Sequence, residues 1–289
     1  MRSFKNINPI ALTIYFLLVT IIPMFCLNPI CLMLLFFCAA FLRIIYSKSF
    51  FKESAFYLVL LIILAIINPI FSHRGNTVLF LLNDMPITLE ASVYGVVSAT
   101  MVISILICFS TYSDIMTSDK LLYLFGAFSK KTALILSMSL RFIPLLKRQA
   151  KAINDAQKTM GIIQQDSIID NIRSTISVFS ALISWALENG ITTADSMNAR
   201  GYESGKKSRY KRYSFTAFDV VFSIISVLLF IITVFFAENI AFACYPAISL
   251  ADVTVKSFIC YLSYGILSFL PIFIEVKECL KWKYLQSKI

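Results

Sequence analysis

Six long apolar stretches constrain the fold of this chain more than any other feature of its sequence. Each covers 18 to 23 residues, and about 20 apolar residues suffice to cross a bilayer as a helix. Only 15% of the 289 residues are charged, against about 25% in soluble domains. We therefore predict an all-α integral membrane protein, with membrane-spanning helices at residues 9–27, 29–46, 54–71, 91–112, 215–237 and 255–276.

The first two stretches leave the number of spans open. They are short and joined only at Asn28-Pro29, so they form either two separate spans or one broken element. We favour two, which gives six membrane helices; the alternative gives five. Arg2 and Lys5 precede the first stretch, but no small-residue cleavage site follows it, so we interpret it as a membrane helix rather than a cleaved signal peptide.

The distribution of basic residues predicts the orientation of the spans. If both termini are cytoplasmic, the segments on the cytoplasmic side hold 24 of the 26 Lys and Arg residues, as the positive-inside rule requires. These segments are residues 1–8, 43–53, 113–214 and 277–289. The formal net charge of +10 therefore indicates topology and contact with anionic lipid, and we predict no nucleic-acid partner.

A polar insert of about a hundred residues separates the fourth stretch from the fifth. We predict three domains: N-terminal membrane helices at 1–112, a cytoplasmic helical domain at 113–214, and C-terminal membrane helices at 215–289. Within the insert the pattern predicts helices at 120–128, 132–160 and 172–199.

Apolar residues recur every three or four positions along the last two of these helices, which is typical of a helix with one face to bury. These residues are Ile153, Ala156, Met160 and Ile163, followed by Ile183, Leu187, Ile191, Ala194 and Met197. Each stripe must pack on the other helix, on the bilayer surface or on a partner.

The residue types that perform catalysis or bind nucleotides and metals lack the required spacing. GYESGKKS at 201–208 has only three residues between Gly201 and Gly205, whereas a phosphate-binding loop needs four. The single histidine, His73, cannot form a zinc-protease pair, and none of the seven cysteines forms a Cys-x-x-Cys pair. Charged residues within the predicted spans lie near span ends, unlike the mid-depth charge of an ion-coupled carrier; they include Asp219, Lys256 and Glu275. We predict no catalytic residue, no cofactor and no metal site.

Four ordered blocks resemble the transmembrane T components of energy-coupling factor transporters, a family that includes the membrane subunit of the cobalt importer. They are INPIFSHRGNTVLF at 67–80, MTSDKLLYLFG at 116–126, SMSLRFIPLLKRQAKAI at 137–153 and ADSMNARGY at 194–202. The resemblance implies a non-catalytic subunit of an ATP-driven importer in a prokaryotic cell membrane. Its implied partners are two cytoplasmic ATPase subunits and a small membrane protein, the S component, which captures a vitamin or a metal ion.

In this family, two Ala-Arg-Gly-like motifs dock into grooves on the two ATPases, which implies docking by Ala199, Arg200 and Gly201. Small neighbours permit close approach, and the guanidinium of Arg200 suits a carboxylate or exposed carbonyl groups. The first motif departs from the family pattern, because AQKTMG at 156–161 has a methionine where the arginine belongs. We therefore predict a degenerate docking site at Lys158, Thr159, Met160 and Gly161. The two contacts should be unequal, through a heterodimeric ATPase pair or a weaker, more apolar contact by Met160 and Ile162.

Arg141 and Pro144 lie in the SLRFIP part of the third block. The resemblance makes them candidate supports of the coupling helices, and Pro144 is a predicted kink. For Arg141, an inter-helix salt bridge or a contact with lipid phosphate is an equal alternative. A membrane scaffold without transport, an integral membrane enzyme and a self-sufficient carrier also remain open, although none of them accounts for the four blocks.

Overall fold

The computed structural model describes residues 4–46, 50–72, 75–82, 85–161, 168–202, 213–240, 242 and 254–286, and these residues are almost entirely helical. The all-α prediction is confirmed. The helices are α1 (Pro9–Phe25), α2 (Pro29–Tyr46), α3 (Phe50–Phe71), α4 (Leu89–Ile115), α5 (Ser118–Phe128), α6 (Lys130–Thr159), α7 (Ile168–Ala199), α8 (Ala217–Phe235) and α9 (Val255–Gln286). Between α3 and α4 lies an antiparallel hairpin of β1 (Val78–Leu82) and β2 (Met85–Thr88).

The chain divides into two compact units. The membrane unit comprises Met1–Leu121 and Tyr213–Ile289, and it contains α1 to α4, α8 and α9. The hairpin unit comprises Leu122–Arg212, and it contains α6 and α7. Helix α5 begins in the membrane unit and continues into the hairpin unit.

Asn-Pro pairs begin the first two helices of the membrane unit. The Asn8 side chain accepts a hydrogen bond from the Ile10 amide at 3.1 Å, and Asn28 accepts one from Ile30 at 2.9 Å. The prolines that follow sacrifice no helical hydrogen bond at this position, because the first backbone amides of a helix have no partner within it. Thus α1 and α2 are separate helices, as favoured from the sequence. Five helices, α2, α3, α4, α8 and α9, are long and apolar enough to cross a membrane, and α1 is apolar with 17 residues.

The segment before α1 packs into the membrane unit through two of its side chains. Phe4 and Ile7 have no exposed surface. The ring of Phe4 meets Tyr15, Phe16 and Phe222 edge-on, with centroid distances of 6.0, 6.2 and 6.1 Å. Such aromatic contacts add to the burial of apolar area, so this segment forms part of the core.

Two carboxylates of the predicted spans bind the backbone of this segment. The Phe4 amide donates to Glu275 Oε1 at 3.0 Å, and the Asn8 amide donates to Asp219 Oδ1 at 3.3 Å. Asp219 also accepts hydrogen bonds from the Thr216 amide and hydroxyl, at 3.0 and 2.6 Å. Both acidic groups therefore have partners inside the protein, which lowers the cost of placing them beside the bilayer.

Arg43 connects the ends of three helices. Its side chain, on α2, donates to Glu53 of α3 at 2.7 Å and pairs with Asp114 of α4. The residue is only 4% exposed, and a buried guanidinium is tolerated when it is paired and hydrogen-bonded. The ion cluster fixes where these three helices end relative to one another.

A glycine permits close packing of α3 against α4. A Cβ atom built on Gly95 would lie 2.7 Å from the Ala65 carbonyl oxygen and 3.1 Å from Asn68 Cβ. The same region is joined by a hydrogen bond of 3.4 Å from Asn68 Nδ2 to Ser98 Oγ. The close approach therefore depends on the missing side chain.

We predict that Gly95→Ala destabilises the protein by about 1–3 kcal/mol, because overpacking forces the two backbones apart. Gly265→Ala is the matched control, since its Cβ would meet only Leu34 Cδ1 at 3.9 Å. Thermal unfolding in mild detergent measures both variants. Equal midpoints for the two variants would contradict the role of Gly95.

Candidate docking ends of the helical hairpin

The end of α7 is closed by a glycine turn that places Arg200 at the helix terminus. Gly201 has a φ of +75°, its amide donates to the Asn198 carbonyl at 2.9 Å, and the Tyr202 amide donates to the Met197 carbonyl at 3.1 Å. This pair of bonds is the Schellman motif, which favours glycine at the residue with positive φ. Arg200 is the exposed capping residue, and Ala199 and Gly201 on either side leave it room.

The end of α6 has a similar glycine turn with a different side chain. Gly161 has a φ of +69°, and its amide donates to the Lys158 carbonyl at 3.1 Å. Met160 is the capping residue and is 72% exposed. Thr159 directs its hydroxyl back to the Ala156 carbonyl at 2.8 Å. Met160 therefore occupies at the end of α6 the place that Arg200 occupies at the end of α7.

The two ends lie at opposite ends of an antiparallel pair. Helix α7 has 32 residues, which correspond to a length of about 48 Å at about 1.5 Å per residue. Gln157 near the end of α6 donates to Ser177 near the start of α7 at 3.3 Å. The other end of the pair brings the first half of α6 beside the end of α7. One antiparallel helix pair thus presents two similar helix ends toward its opposite ends.

A cavity of about 400 Å³ opens between α6 and α7 next to Arg200; we call it the α6–α7 cleft. Arg141 lines this cleft together with Arg200, so the structure brings together two arginines that lie far apart in sequence. The full lining is Met138, Arg141, Phe142, Leu145, Asn189, Thr192, Thr193, Ser196, Met197 and Arg200.

Neither Arg141 nor Arg200 makes an ion pair within the described part of the chain. The salt-bridge alternative for Arg141 is therefore not realised there. Pro144 lies inside α6, exposed, with its carbonyl accepting from Arg148 Nε at 3.4 Å. Sequence reasoning missed Asn189 and Thr193, although they share a helical spacing with Met197 and Arg200.

An apolar stripe on α7 is left exposed. Its members are 44 to 65% exposed; they are Ile172, Ile176, Phe179, Ile183, Leu187 and Ile191. Of the stripe predicted from sequence, Ile183, Leu187, Ile191 and Ala194 are exposed, whereas Met197 lines the cleft. On α6, Ile153 is half-buried and Ala156 is exposed. Several residues named in the sequence interpretation lie outside the described residues: Arg2, His73, Ile162, Ile163 and Gly205.

Lys120 on α5 is a buried cation that sequence reasoning did not single out. It is 5% exposed, and its Nζ donates to the carbonyls of Lys5 and, at 3.2 Å, Ile115. Burial, with a smaller contribution from the charge of Lys5, lowers the pKa of Lys120 to about 8. Lys120 thus joins the N-terminal segment to the start of α5 within the membrane unit.

The described residues contain no group of three or more His, Cys, Asp or Glu side chains that could hold a metal ion. The chemistry that the two helix ends offer is recognition: a guanidinium at one end, a thioether at the other and an exposed apolar stripe on α7.

The chain is similar to membrane subunits of transporters. The model of the family described as cobalt transport protein matches residues 3–214. The energy-coupling factor transporter transmembrane protein of Streptococcus equi is 27% identical over 229 residues, covering 74% of this chain and 85% of that protein. The corresponding protein of Listeria innocua is 29% identical over 186 residues, covering 59% and 70%. A putative ABC transporter ATP-binding protein of Bifidobacterium longum is 25% identical over 178 residues, covering 57% of this chain and 23% of that protein.

We predict that Lys120 makes the stability of the protein rise with pH above about 8. The folded-state pKa of Lys120 is about 8, below the ordinary value of 10.5, so between these values the unfolded state binds more protons. Stability then increases as pH rises through this window. The difference in unfolding midpoint between wild type and Lys120→Met should therefore change from pH 7 to pH 9.5. Lys151→Met, at an exposed lysine of α6, is the control; parallel pH curves for wild type and Lys120→Met would refute the prediction.

Proposed function

The chain belongs to the cobalt transport protein family and is a transmembrane component of the energy-coupling factor type, and from this premise we propose that it transmits ATP-driven motion of two cytoplasmic ATPases to a substrate-binding membrane subunit. The family implies ATPase partners in an ABC-type complex and a multi-pass membrane location. The S component captures the substrate, a vitamin or a metal ion, and the chain itself performs no catalysis.

One observation carries the proposal: α6 and α7 each end in a glycine turn, and these turns lie toward opposite ends of the antiparallel pair. A single docking site would need one such end, whereas two ATPase subunits need two. Because a packed helix pair transmits displacement between its ends, closure of the ATPases on ATP moves the hairpin as one body. Ala199, Arg200 and Gly201 form one docking end, and Lys158, Thr159, Met160 and Gly161 form the other.

The two docking ends differ in chemistry. Arg200 offers five N–H donors in a fixed fork, whereas Met160 offers polarizable apolar surface. Because the backbone is alike at the two ends, the difference lies in the capping side chain. The partner grooves therefore differ, and we propose a heterodimeric ATPase pair in which one groove is acidic or rich in carbonyls and the other is apolar.

The exposed stripe of α7 supports contact with the S component. Six large apolar residues on one helix face, each at least 44% exposed, form a surface that a soluble helix would bury. A small hydrophobic membrane protein supplies a matching surface.

The charge distribution supports the orientation of this assembly. The positive-inside rule favours both termini and residues 113–214, which include the hairpin unit, on the cytoplasmic side of a prokaryotic cell membrane.

Affinity purification of the whole chain in mild detergent tests the proposal, with two P-loop ATPases and a small hydrophobic protein as the expected companions. A chain that purifies alone, although the ATPases are expressed, would favour the scaffold alternative.

We predict that Arg200→Glu weakens binding of its ATPase by about 30-fold or more, because truncating or reversing one charge of an interfacial pair costs about 2 kcal/mol or more. Membrane insertion should be unchanged, since Arg200 has no ion-pair partner within the described residues. Lys147→Glu is the control, with the same change of charge at an exposed position of α6. Unchanged ATPase retention and unchanged uptake in Arg200→Glu would contradict the docking role.

We predict that the other ATPase tolerates Met160→Leu but loses affinity about tenfold with Met160→Arg. Leucine keeps the apolar surface, whereas arginine must lose hydration in a groove without a counter-charge. Quantifying each ATPase in the purified complex shows which contact is lost. Stronger retention with Met160→Arg would show that the first groove is made for arginine and that the asymmetry is wrong.

A further inference from the structure

We infer that the α6–α7 cleft binds a carboxylate side chain of the ATPase that docks at Arg200, and that Arg141 is a second cation of this site. This inference rests on the proposed docking at Arg200 and extends it to a residue on another helix. It gives Arg141 a role as a determinant of ATPase recognition.

The charge of the cleft is unbalanced. Two arginines line it and none of its ten lining residues is acidic. Glu188 and Asp195 of α7 are not among the lining residues, and both ion pairs within the described residues belong to Arg43. Two like charges beside one cavity repel each other, and an anion between them removes that repulsion.

The other polar groups of the cleft are largely satisfied by their own helix. The Thr193 hydroxyl donates to the Asn189 backbone carbonyl at 2.7 Å, and the Asn189 side-chain amide donates to the Trp185 backbone carbonyl at 3.1 Å. Thr192 donates to the Glu188 carbonyl. The donors left to a ligand are chiefly the two guanidiniums, which favours a compact anion over a neutral polar molecule.

The shape and lining of the cleft fit a protein side chain. Met138, Phe142, Leu145 and Met197 contribute apolar surface beside the arginines, and about 400 Å³ admits a carboxylate side chain with one aliphatic neighbour. Arg200 already belongs to the proposed ATPase contact, so the cleft continues that interface.

The geometry of α7 argues against a lipid headgroup. Cleft residues Asn189 and Thr193 lie two positions from stripe residues Leu187 and Ile191, which places them about 200° away around the helix. A lipid lying along the apolar stripe would therefore hold its phosphate on the wrong side of α7 to reach the cleft.

The experiment is a binding titration of the purified ATPase pair onto the full-length chain in detergent free of anionic lipid. Its variants are Arg141→Gln, Arg200→Gln, the double variant and, as the matched control, Lys147→Gln. We expect Arg141→Gln to raise the Kd about tenfold, in line with a lost hydrogen bond to a charged group. The double variant should bind more weakly than either single variant. Its increase in Kd should nevertheless be smaller than the product of the two single increases, because both cations hold one carboxylate. Thermal unfolding of the chain alone should be unchanged in Arg141→Gln, which separates lost recognition from misfolding.

The outcomes distinguish this inference from the proposed function. If Arg200→Gln binds the ATPases like wild type, the docking proposal itself fails. If Arg200→Gln weakens binding while Arg141→Gln matches Lys147→Gln, only the role of Arg141 is overturned. Fully multiplicative effects would show that the two arginines do not share a ligand. An effect of Arg141→Gln that appears only when anionic lipid is added would assign the cleft to lipid phosphate and overturn the inference.

Discussion

The backbone of residues 4–8 meets three charged side chains from separate helices: Glu275 of α9, Asp219 of α8 and Lys120 of α5. Each of these charges thereby gains a hydrogen-bond partner from the peptide backbone. A buried charge without a partner is strongly destabilising, so the position of the N-terminal segment and the positions of these helices depend on one another. The aromatic contacts of Phe4 hold the segment in place. The start of α5, the helix that continues into the hairpin unit, is in this way tied to the core of the membrane unit.

Sequence periodicity predicted most of this architecture because a bilayer leaves few alternatives. The length of the apolar stretches identified the membrane helices. Asn28-Pro29 indicated a break between the first two stretches, and α2 begins at Pro29. Helices α5, α6 and α7 were predicted within a few residues of their bounds. The apolar pattern of α7 was also correct as a pattern, but it could not show what covers the stripe, since one sequence contains no information on partners. The cleft shared by Arg141 and Arg200 was beyond reach for another reason: it depends on the register of α6 against α7, which is set by side-chain packing along the whole pair.

The glycine turns explain why Arg200 and Met160, the docking residues that we propose, lie at helix ends rather than on helix sides. A capping residue sits beside the last carbonyl groups, where the helix dipole favours a cation. A turn with positive φ then leads the chain away, which glycine does without the strain that another residue incurs. At Gly161 an added Cβ would meet nothing within 4 Å, so the backbone conformation, not crowding within the chain, requires glycine there. The glycine turns at the ends of α6 and α7 therefore set where the proposed docking residues lie, whereas the side chains of Met160 and Arg200 set the chemistry of each contact.

That separation determines how the two proposed contacts would respond to salt and to substitution. An arginine contact gains from charge and hydrogen bonding, is weakened by salt where solvent reaches it, and loses much when its partner is removed. A methionine contact gains from apolar burial and dispersion, depends little on salt and tolerates exchange among aliphatic residues. A homodimeric ATPase pair offers two identical grooves and could satisfy only one of these ends well. Since Met160 and Arg200 occupy corresponding positions at the ends of α6 and α7, the docking that we propose is matched most simply by two different ATPases, each with its own contact chemistry.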